Sequence, residues 1–302
     1  MIQEPNGVLI VNKHAGVTSH HIVNVVRRLY NTRRVGHAGT LDPMATGVLV
    51  VLIGRAAKAS EYLSHDAKHY RATLRLGLTT DTEDTTGAIL TTSENIPSFE
   101  ELQAILPRFR GKILQTPPMY SALKVDGQKL VDLARRGEVI AREAREIEIF
   151  SLDATPTEDA RECILDVHCS GGTYIRTLCA DIGAALGCGG AMASLERGEA
   201  CGFDLSIAHT LEEIEAMTEE ERLHLLIPTQ RLFADLPTVR LSAFFEKLSR
   251  SGCEIYLKKI GVDLPLGTRV AMCDQGGAFF ALGEVGEFKG GVAVKAIKMF
   301  VL

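Results

Sequence analysis

The chain has 302 residues, of which 46% are hydrophobic and 24% charged, and its formal net charge is −5. This composition is typical of a globular protein with one or two cores and excludes a disordered chain. The longest apolar run, Val48 to Ile53, is too short to cross a bilayer. Because the N-terminus also lacks a basic segment followed by a long apolar one, we expect a cytoplasmic protein without membrane contact.

Charge is unevenly divided along the chain. Residues 1–145 contain 19 Lys and Arg against 14 Asp and Glu, whereas the rest of the chain contains 14 against 24. A polyanion would be attracted to the basic part, so nucleic acid is one interpretation; chance variation of surface charge is the other. The seven cysteines form no CxxC pair, which argues against a zinc ribbon or a disulfide framework and favours buried free thiols.

Hydrophobic periodicity predicts mixed α and β structure. Alternation over Lys68–Leu76 predicts a half-buried strand with Tyr70 facing inward, and Ser98 with Glu101 predicts a capping box for a helix to about Leu106. The other predicted elements, in chain order, are a strand at 7–11, a helix capped by Ser19 that ends near Tyr30, a Pro-interrupted loop or sheet edge from Gln115, strands at 139–153 and 161–169, a helix marked by Ile175, Leu178, Ile182 and Leu186, and short helices at 211–217 and 219–227.

The sequence changes character towards the C-terminus. A Gly-rich tail carries strand-like pieces at 268–272, 278–282 and 291–297. This pattern predicts a small separate β module. We therefore predict two domains, 1–235 and 236–302.

One carboxylate lies in an unusual setting. The segment Gly36–Gly47, GHAGTLDPMATG, holds a single acidic residue, Asp42, in a turn rich in Gly, Pro and Thr that precedes the apolar run. A carboxylate on a rigid loop is more typical of chemistry than one on a solvated helix face. The acidic cluster at 81–84, in contrast, has Thr neighbours and Gly87, which favour a turn with local hydrogen bonds over a calcium loop.

The segment GHAGTLDPMATGVL resembles the signature of the TruB family of bacterial tRNA pseudouridine synthases. Four other segments resemble further motifs of that family in the same order: GVLIVNKHAGVTS, KHYRATLRLGLTTDTEDTTG, QTPPMYSALKVDG and CSGGTYIRTLCADIG. Together the matches cover roughly residues 7–200. They imply a pseudouridine synthase fold of the α/β (α+β) class, with a mostly antiparallel mixed sheet flanked by helices, followed by a small β-rich PUA-like C-terminal domain.

The resemblance also implies an activity. The family isomerises uridine 55 in the T loop of tRNA to pseudouridine, breaking the bond from ribose C1′ to N1 and remaking it to C5. A base inside a folded loop has to be flipped out to be reached. The family uses no cofactor and no metal. The resemblance also leads us to expect a monomer that binds the T arm of tRNA without a protein partner and assists tRNA folding.

Site residues follow from the same motifs. Asp42 is the implied catalytic carboxylate, acting either as nucleophile or as base, and Arg176 is the cation expected to keep it ionised in a desolvated pocket. Tyr70 is implied to stack on the flipped base, with a part in proton removal as a further role; without the motif, core packing would be the simpler interpretation. The resemblance also implies RNA or pocket contacts for His37 on the aspartate loop, Tyr174 and Leu195, for which structural roles are the alternative. Lys13, Lys58 and Lys124 are predicted phosphate contacts because they lie on or near motif loops in the basic part of the chain; ordinary solvated charges are the alternative.

The chain departs from the family pattern at five positions. These are His14, Val131, Gly171, Ala191 and Glu196, where Pro, Tyr, Lys, His and Arg are common. The lost cations predict weaker phosphate binding nearby. Two other functions remain open: an RNA-binding module that remodels tRNA without catalysis, and a guide-directed synthase acting on another RNA, which the lack of long basic tails disfavours.

Overall fold

The fold is known from a computed structural model that describes residues 4–63, 66–125 and 127–301. The strands within these ranges are β1 (Gly7–Lys13), β2 (Val35–Ala38), β3 (Thr46–Ile53), β4 (Lys68–Leu76), β5 (Leu78–Thr80), β6 (Ile89–Thr92), β7 (Gly111–Gln115), β8 (Lys124–Val125), β9 (Gln128–Lys129), β10 (Arg145–Pro156), β11 (Glu162–Cys169), β12 (Gly190–Ala200), β13 (Phe203–Asp204), β14 (Thr238–Arg240), β15 (Ile255–Tyr256), β16 (Arg269–Cys273), β17 (Phe279–Phe288) and β18 (Gly291–Met299).

Helices are short and lie between the strands. They are α1 (Ser19–Leu29), α2 (Phe99–Ile105), α3 (Leu130–Ala134), α4 (Ile175–Ala185), α5 (Leu211–Ala216), α6 (Glu219–His224), α7 (Ala243–Arg250) and α8 (Leu257–Ile260), with 3₁₀ turns at Gly54–Tyr62, Leu106–Phe109, Leu205–Ile207 and Thr229–Phe233. None of the helices in the described part of the chain has the length and apolar character needed to span a membrane.

The larger sheet has the strand order β1-β3-β12-β4-β11-β10-β7, with β2 added to β3 and β13 to β12. Its pairs are antiparallel except that of β12 with β3, which is parallel. The predicted mostly antiparallel sheet is therefore confirmed. Strand β12 lies between β3 and β4 and so joins the two halves of the sheet. The sequence analysis did not predict this strand, because its Gly, Ala and Glu residues have low strand propensity.

Local signals were accurate where one residue pair decides the structure. Ser98 and Glu101 form the predicted capping box, with Glu101 N donating to Ser98 Oγ at 3.2 Å and Ser98 N to Glu101 Oε2 at 2.7 Å. Tyr70 faces inward on β4, as its alternation predicted. The prediction that Ser19 caps this helix was wrong: Thr18 caps α1, and its side chain accepts from His21 N at 3.0 Å.

The predicted strand at 139–153 was partly wrong. Strand β10 begins at Arg145, whose partner on β7 is Gln115, the last residue of that strand. Residues 139–144 lie beyond the end of β7 and outside any strand. At the other end β10 continues to Pro156, because β11 pairs with it as far as Cys163.

The C-terminal sheet has the order β14-β16-β17-β18-β15 and includes all three strands predicted for the tail. An apolar cluster joins this sheet to the larger one: Phe279 and Phe300 pack at 5.4 Å between ring centroids and share a buried core with Val8, Ile10 and Val50. Burial of this kind favours a fixed arrangement of the two sheets. The division at residue 235 stays a prediction.

Strands β3 and β12 approach unusually closely where they pair in parallel. Gly47 has φ +97°, and a Cβ atom there would lie 2.3 Å from the carbonyl oxygen of Arg197. Glycine is the residue that tolerates both this backbone conformation and this contact. Gly47 therefore sets how near the end of the aspartate loop comes to β12.

We predict that Gly47→Ala lowers the free energy of unfolding by about 3 kcal/mol or more, because it combines backbone strain with overpacking. The matched control is Gly252→Ala: Gly252 has φ +85° with nothing within 4 Å of the added carbon. Strain alone should cost roughly 1 kcal/mol there. Urea denaturation measures both, and equal losses for the two variants would contradict the steric argument.

Candidate active site

The Asp42 carboxylate lies on a tightly held loop between β2 and β3. Ser19 is buried, and its hydroxyl accepts from Leu41 N at 2.8 Å and donates to Leu41 O at 3.0 Å. Gly16 N donates to Pro43 O at 2.8 Å, and Ala45 N to Asp42 O at 3.1 Å. These bonds hold the backbone on both sides of Asp42, so the carboxylate is presented from a preorganised turn.

Asp42 forms an ion pair with Arg176, the partner predicted from sequence. Arg176 Nε lies 2.9 Å from Asp42 Oδ2, and Nη2 donates to Oδ1 at 3.4 Å. Arg176 is in the first turn of α4, as expected, and its side chain is 6% exposed, whereas that of Asp42 is 33% exposed. The guanidinium is therefore buried behind the carboxylate, which keeps one side open towards solvent. Two-point pairing of this kind fixes the orientation of a carboxylate as well as its charge.

Arg176 also contacts a second carboxylate, which the sequence analysis did not assign to the site. Its Nη1 lies 3.6 Å from Asp84 Oδ2 and donates to Thr82 O at 2.9 Å, while Nη2 donates to Tyr120 O at 2.8 Å. Asp84 is itself buried, and its Oδ1 accepts from Thr82 Oγ1 and from the amide and hydroxyl of Thr86. The predicted turn with local hydrogen bonds is thus confirmed. The other carboxylate oxygen of Asp84, Oδ2, is the one that lies near Arg176.

The charge state of Asp42 depends on opposing effects. Burial raises the pKa of the Asp42 carboxyl above its ordinary value, and the negative charge of Asp84 raises it further. Arg176 lowers that pKa through its charge and its hydrogen bond, and Lys13 adds a smaller effect in the same direction. Burial is the largest of these effects, so the pKa of Asp42 is raised overall, and Arg176 is the main influence that favours the ionised carboxylate.

Tyr70 lies on β4 and is buried. Burial raises the pKa of its phenol, and the positive charge of Arg197 acts in the opposite direction. Tyr70 is paired with Arg197 on β12 and with Val167 on β11. The ring thus lies at the centre of the larger sheet.

The sequence analysis missed Arg197, although it is the largest fully buried side chain in the described residues. Its Nε donates to Val48 O at 2.8 Å and its Nη2 to Gly39 O at 3.1 Å, on either side of Asp42. A signal existed: Arg197 is two residues after Leu195, which places both on the inward face of a strand. Because the sequence analysis predicted no strand over the residues of β12, it did not use that alternation.

Two predicted residues lie in settings other than those expected. His37 is on β2, paired with Val51, and not on the loop, because Val35–Ala38 adds an edge to β3. Lys13 is fully buried: its Nζ donates to His14 O at 2.9 Å and Pro43 O at 3.2 Å, and burial lowers its pKa to about 8. The Lys13 ammonium therefore lies beneath the aspartate loop instead of at the surface.

The other predicted residues surround the site at varying depth. Tyr174 precedes α4, where Gln115 Nε2 donates to its carbonyl at 3.0 Å, and Leu195 is buried on β12. Lys124 is exposed on β8. Lys58 is exposed too, and its Nζ donates to Met299 O at 3.2 Å. These positions describe where the side chains lie; their contacts with RNA stay predictions.

Within the described residues, no group of three or more His, Cys, Asp or Glu side chains is placed to hold a metal ion. The seven cysteines are free thiols. Five are buried, as predicted, whereas Cys201 is half-buried and Cys253 exposed.

Comparisons with known proteins place this chain in a family. Residues 27–175 match the model of the TruB family pseudouridylate synthase N-terminal domain, and residues 176–234 match that of the tRNA pseudouridylate synthase B C-terminal domain. The fold is shared with a solved structure described as a Cbf5-Nop10-Gar1 complex, with a TM-score of 0.77 at 24% identity over 99% of this chain and 86% of that one.

Curated bacterial relatives are similar over most of their length. The tRNA pseudouridine synthase B of Syntrophotalea carbinolica is 43% identical over 280 residues, covering 90% of each chain. The protein of the same name from Pseudomonas putida is 42% identical over 286 residues, 93% of this chain and 92% of that protein. Identity at this level over nearly the whole chain means that this protein belongs to the TruB family of pseudouridine synthases.

Proposed function

We propose that this protein isomerises uridine 55 in the T loop of tRNA to pseudouridine, with Asp42 as the catalytic carboxylate. The observation that carries the proposal is the ion pair in which a buried Arg176 holds a partly open Asp42 from behind. The names of the relatives, tRNA pseudouridine synthase B, support tRNA as the substrate. The T loop and position 55 rest on the motif resemblance.

The reaction breaks the bond between ribose C1′ and N1 of uracil and makes one between C1′ and C5. The uracil stays bound while it turns, a proton leaves C5, and N1 gains one. Asp42 supplies the carboxylate, either by attack at C1′ or as the base that starts cleavage. Arg176 favours the ionised form of Asp42, and both routes need that charged form.

The substrate base has to leave its stack to reach Asp42, and the pocket must offset the lost stacking. Tyr70 offers an aromatic ring buried on β4, and the basic first half of the chain favours the RNA backbone. In this proposal His37, Tyr174 and Leu195 line the approach, Lys58 and Lys124 meet phosphates, and Lys13 supports the aspartate loop from inside. The enzyme acts as a cytoplasmic monomer without cofactor or metal and assists tRNA folding.

Asp42→Asn is expected to abolish product formation on unmodified tRNA, lowering the rate by at least about 10³-fold, because an amide cannot serve as base or nucleophile here. Chemical mapping of pseudouridine measures product, and filter binding measures RNA affinity. The control is Asp153→Asn, which removes an exposed carboxylate paired with Arg110 at 3.2 Å. A fully active Asp42→Asn would remove Asp42 from its role; wild-type protein that binds tRNA but makes no product would favour the remodelling module.

Arg176→Gln should lower the rate about 10²-fold with a much smaller loss of RNA affinity, as expected when a preorganised charge is removed. Without the guanidinium the pKa of Asp42 rises, so the ionised form is lost at higher pH. The acidic limb of the rate against pH should therefore move to higher pH, and Arg176→Lys, which keeps the charge, should move it less. An acidic limb unchanged in Arg176→Gln would contradict the electrostatic role, as would equal losses of rate and affinity.

RNA affinity should fall steeply as salt rises, because phosphate contacts release counterions. For Lys124→Gln we expect the slope of log affinity against log salt to become shallower by about 0.9. Lys112→Gln is the control, since Lys112 is exposed but paired with Glu146 at 3.1 Å. The same slope for wild type and both variants would exclude Lys124 from the interface.

A further inference from the structure

Arg197 is a buried cation at the centre of the larger sheet. Its side chain is 1% exposed, yet no carboxylate of the described residues lies within 4.0 Å of its guanidinium. Its charge is felt instead by Lys13, His37 and Lys68, whose pKa values it lowers. A buried cation without a counter-ion, near other basic groups, is destabilising. Such an arrangement persists where the geometry it imposes is needed.

The geometry links parts of the site that are distant in sequence. Arg197 donates to the carbonyl of Gly39, three residues before Asp42, and to that of Val48, six residues after it. On one side of β12 it faces Gly47, and on the other it faces Tyr70. One side chain therefore holds both ends of the aspartate loop, and its residue is paired across the strands with Tyr70.

We propose that Arg197 is a positioning residue of the reaction, one that fixes the hydroxyl of Tyr70 relative to the Asp42 carboxylate. This inference rests on the proposed function. The planar guanidinium has several donors in fixed directions, so it binds the two carbonyls in one orientation beside Tyr70, the residue opposite it on β4. A lysine at this position keeps the charge but presents a single flexible ammonium, which does not hold both carbonyls in that orientation.

The role of Tyr70 separates this proposal from simple stabilisation of the loop. If Arg197 acts only on the loop, its loss has the same effect whether or not Tyr70 has a hydroxyl. If Arg197 positions that hydroxyl, its loss matters less once the hydroxyl has been removed. Arg197 and Tyr70 lie directly opposite each other on β12 and β4 and both are buried, so their side chains share one face of the sheet.

The test compares single-turnover rates on T-arm RNA for Arg197→Lys, Tyr70→Phe and the double variant. We expect Arg197→Lys to lower the rate at least 100-fold while RNA affinity changes less than threefold. In the Tyr70→Phe protein the same substitution should lower the rate less than tenfold. A rate for Arg197→Lys within threefold of wild type would overturn the proposal, and so would equal effects in the two backgrounds.

The control for losing a carbonyl-binding guanidinium is Arg222→Lys. Arg222 donates to Met217 O and Leu29 O, away from the site, and this substitution should lower stability but leave the rate unchanged. Should Arg197→Lys fail to fold, the same cycle is run with Gly39→Ala, whose added carbon would lie 3.3 Å from Arg197 Nη1. Wild-type protein that makes no pseudouridine would instead refute the proposed function itself.

Discussion

The site depends on one buried guanidinium that is shared between two carboxylates. Arg176 holds Asp42 by two nitrogens and reaches Asp84 with a third, while the carbonyls of Thr82 and Tyr120 take its remaining donor capacity. A buried arginine is tolerable because its charge and its hydrogen bonds are satisfied. The result is a carboxylate with a fixed direction and one side open towards solvent.

The larger sheet brings these residues together by its topology. Asp42 lies just before β3, Tyr70 on β4 and Arg197 on β12, and β12 runs between the other two strands. The parallel contact of β12 with β3 is close enough to need Gly47. Close packing here means that the distance between loop and phenol is set by backbone and not by flexible side chains, which is how catalytic groups are held within fractions of an ångström.

Part of the site could be predicted because its signals are local. The loop around Asp42 is marked by its own Gly, Pro and Thr residues, and the alternation around Tyr70 indicates its inward direction without reference to other strands. His37 and Ser19 were misplaced for the opposite reason. His37 is in a strand because β3 offers an edge, and Ser19 turns inward because Leu41 requires a partner for both of its backbone groups.

The sequence by itself determined the family, the loop that carries Asp42 and the pairing of Asp42 with Arg176, since motifs preserve residue types at fixed spacing along the chain. Only the tertiary structure decided the second carboxylate at Asp84, the burial of Lys13 and the position of Arg197 between loop and phenol. Those contacts join residues far apart in sequence across strand pairs. Their partners depend on register and close packing, which hydrophobic periodicity does not encode.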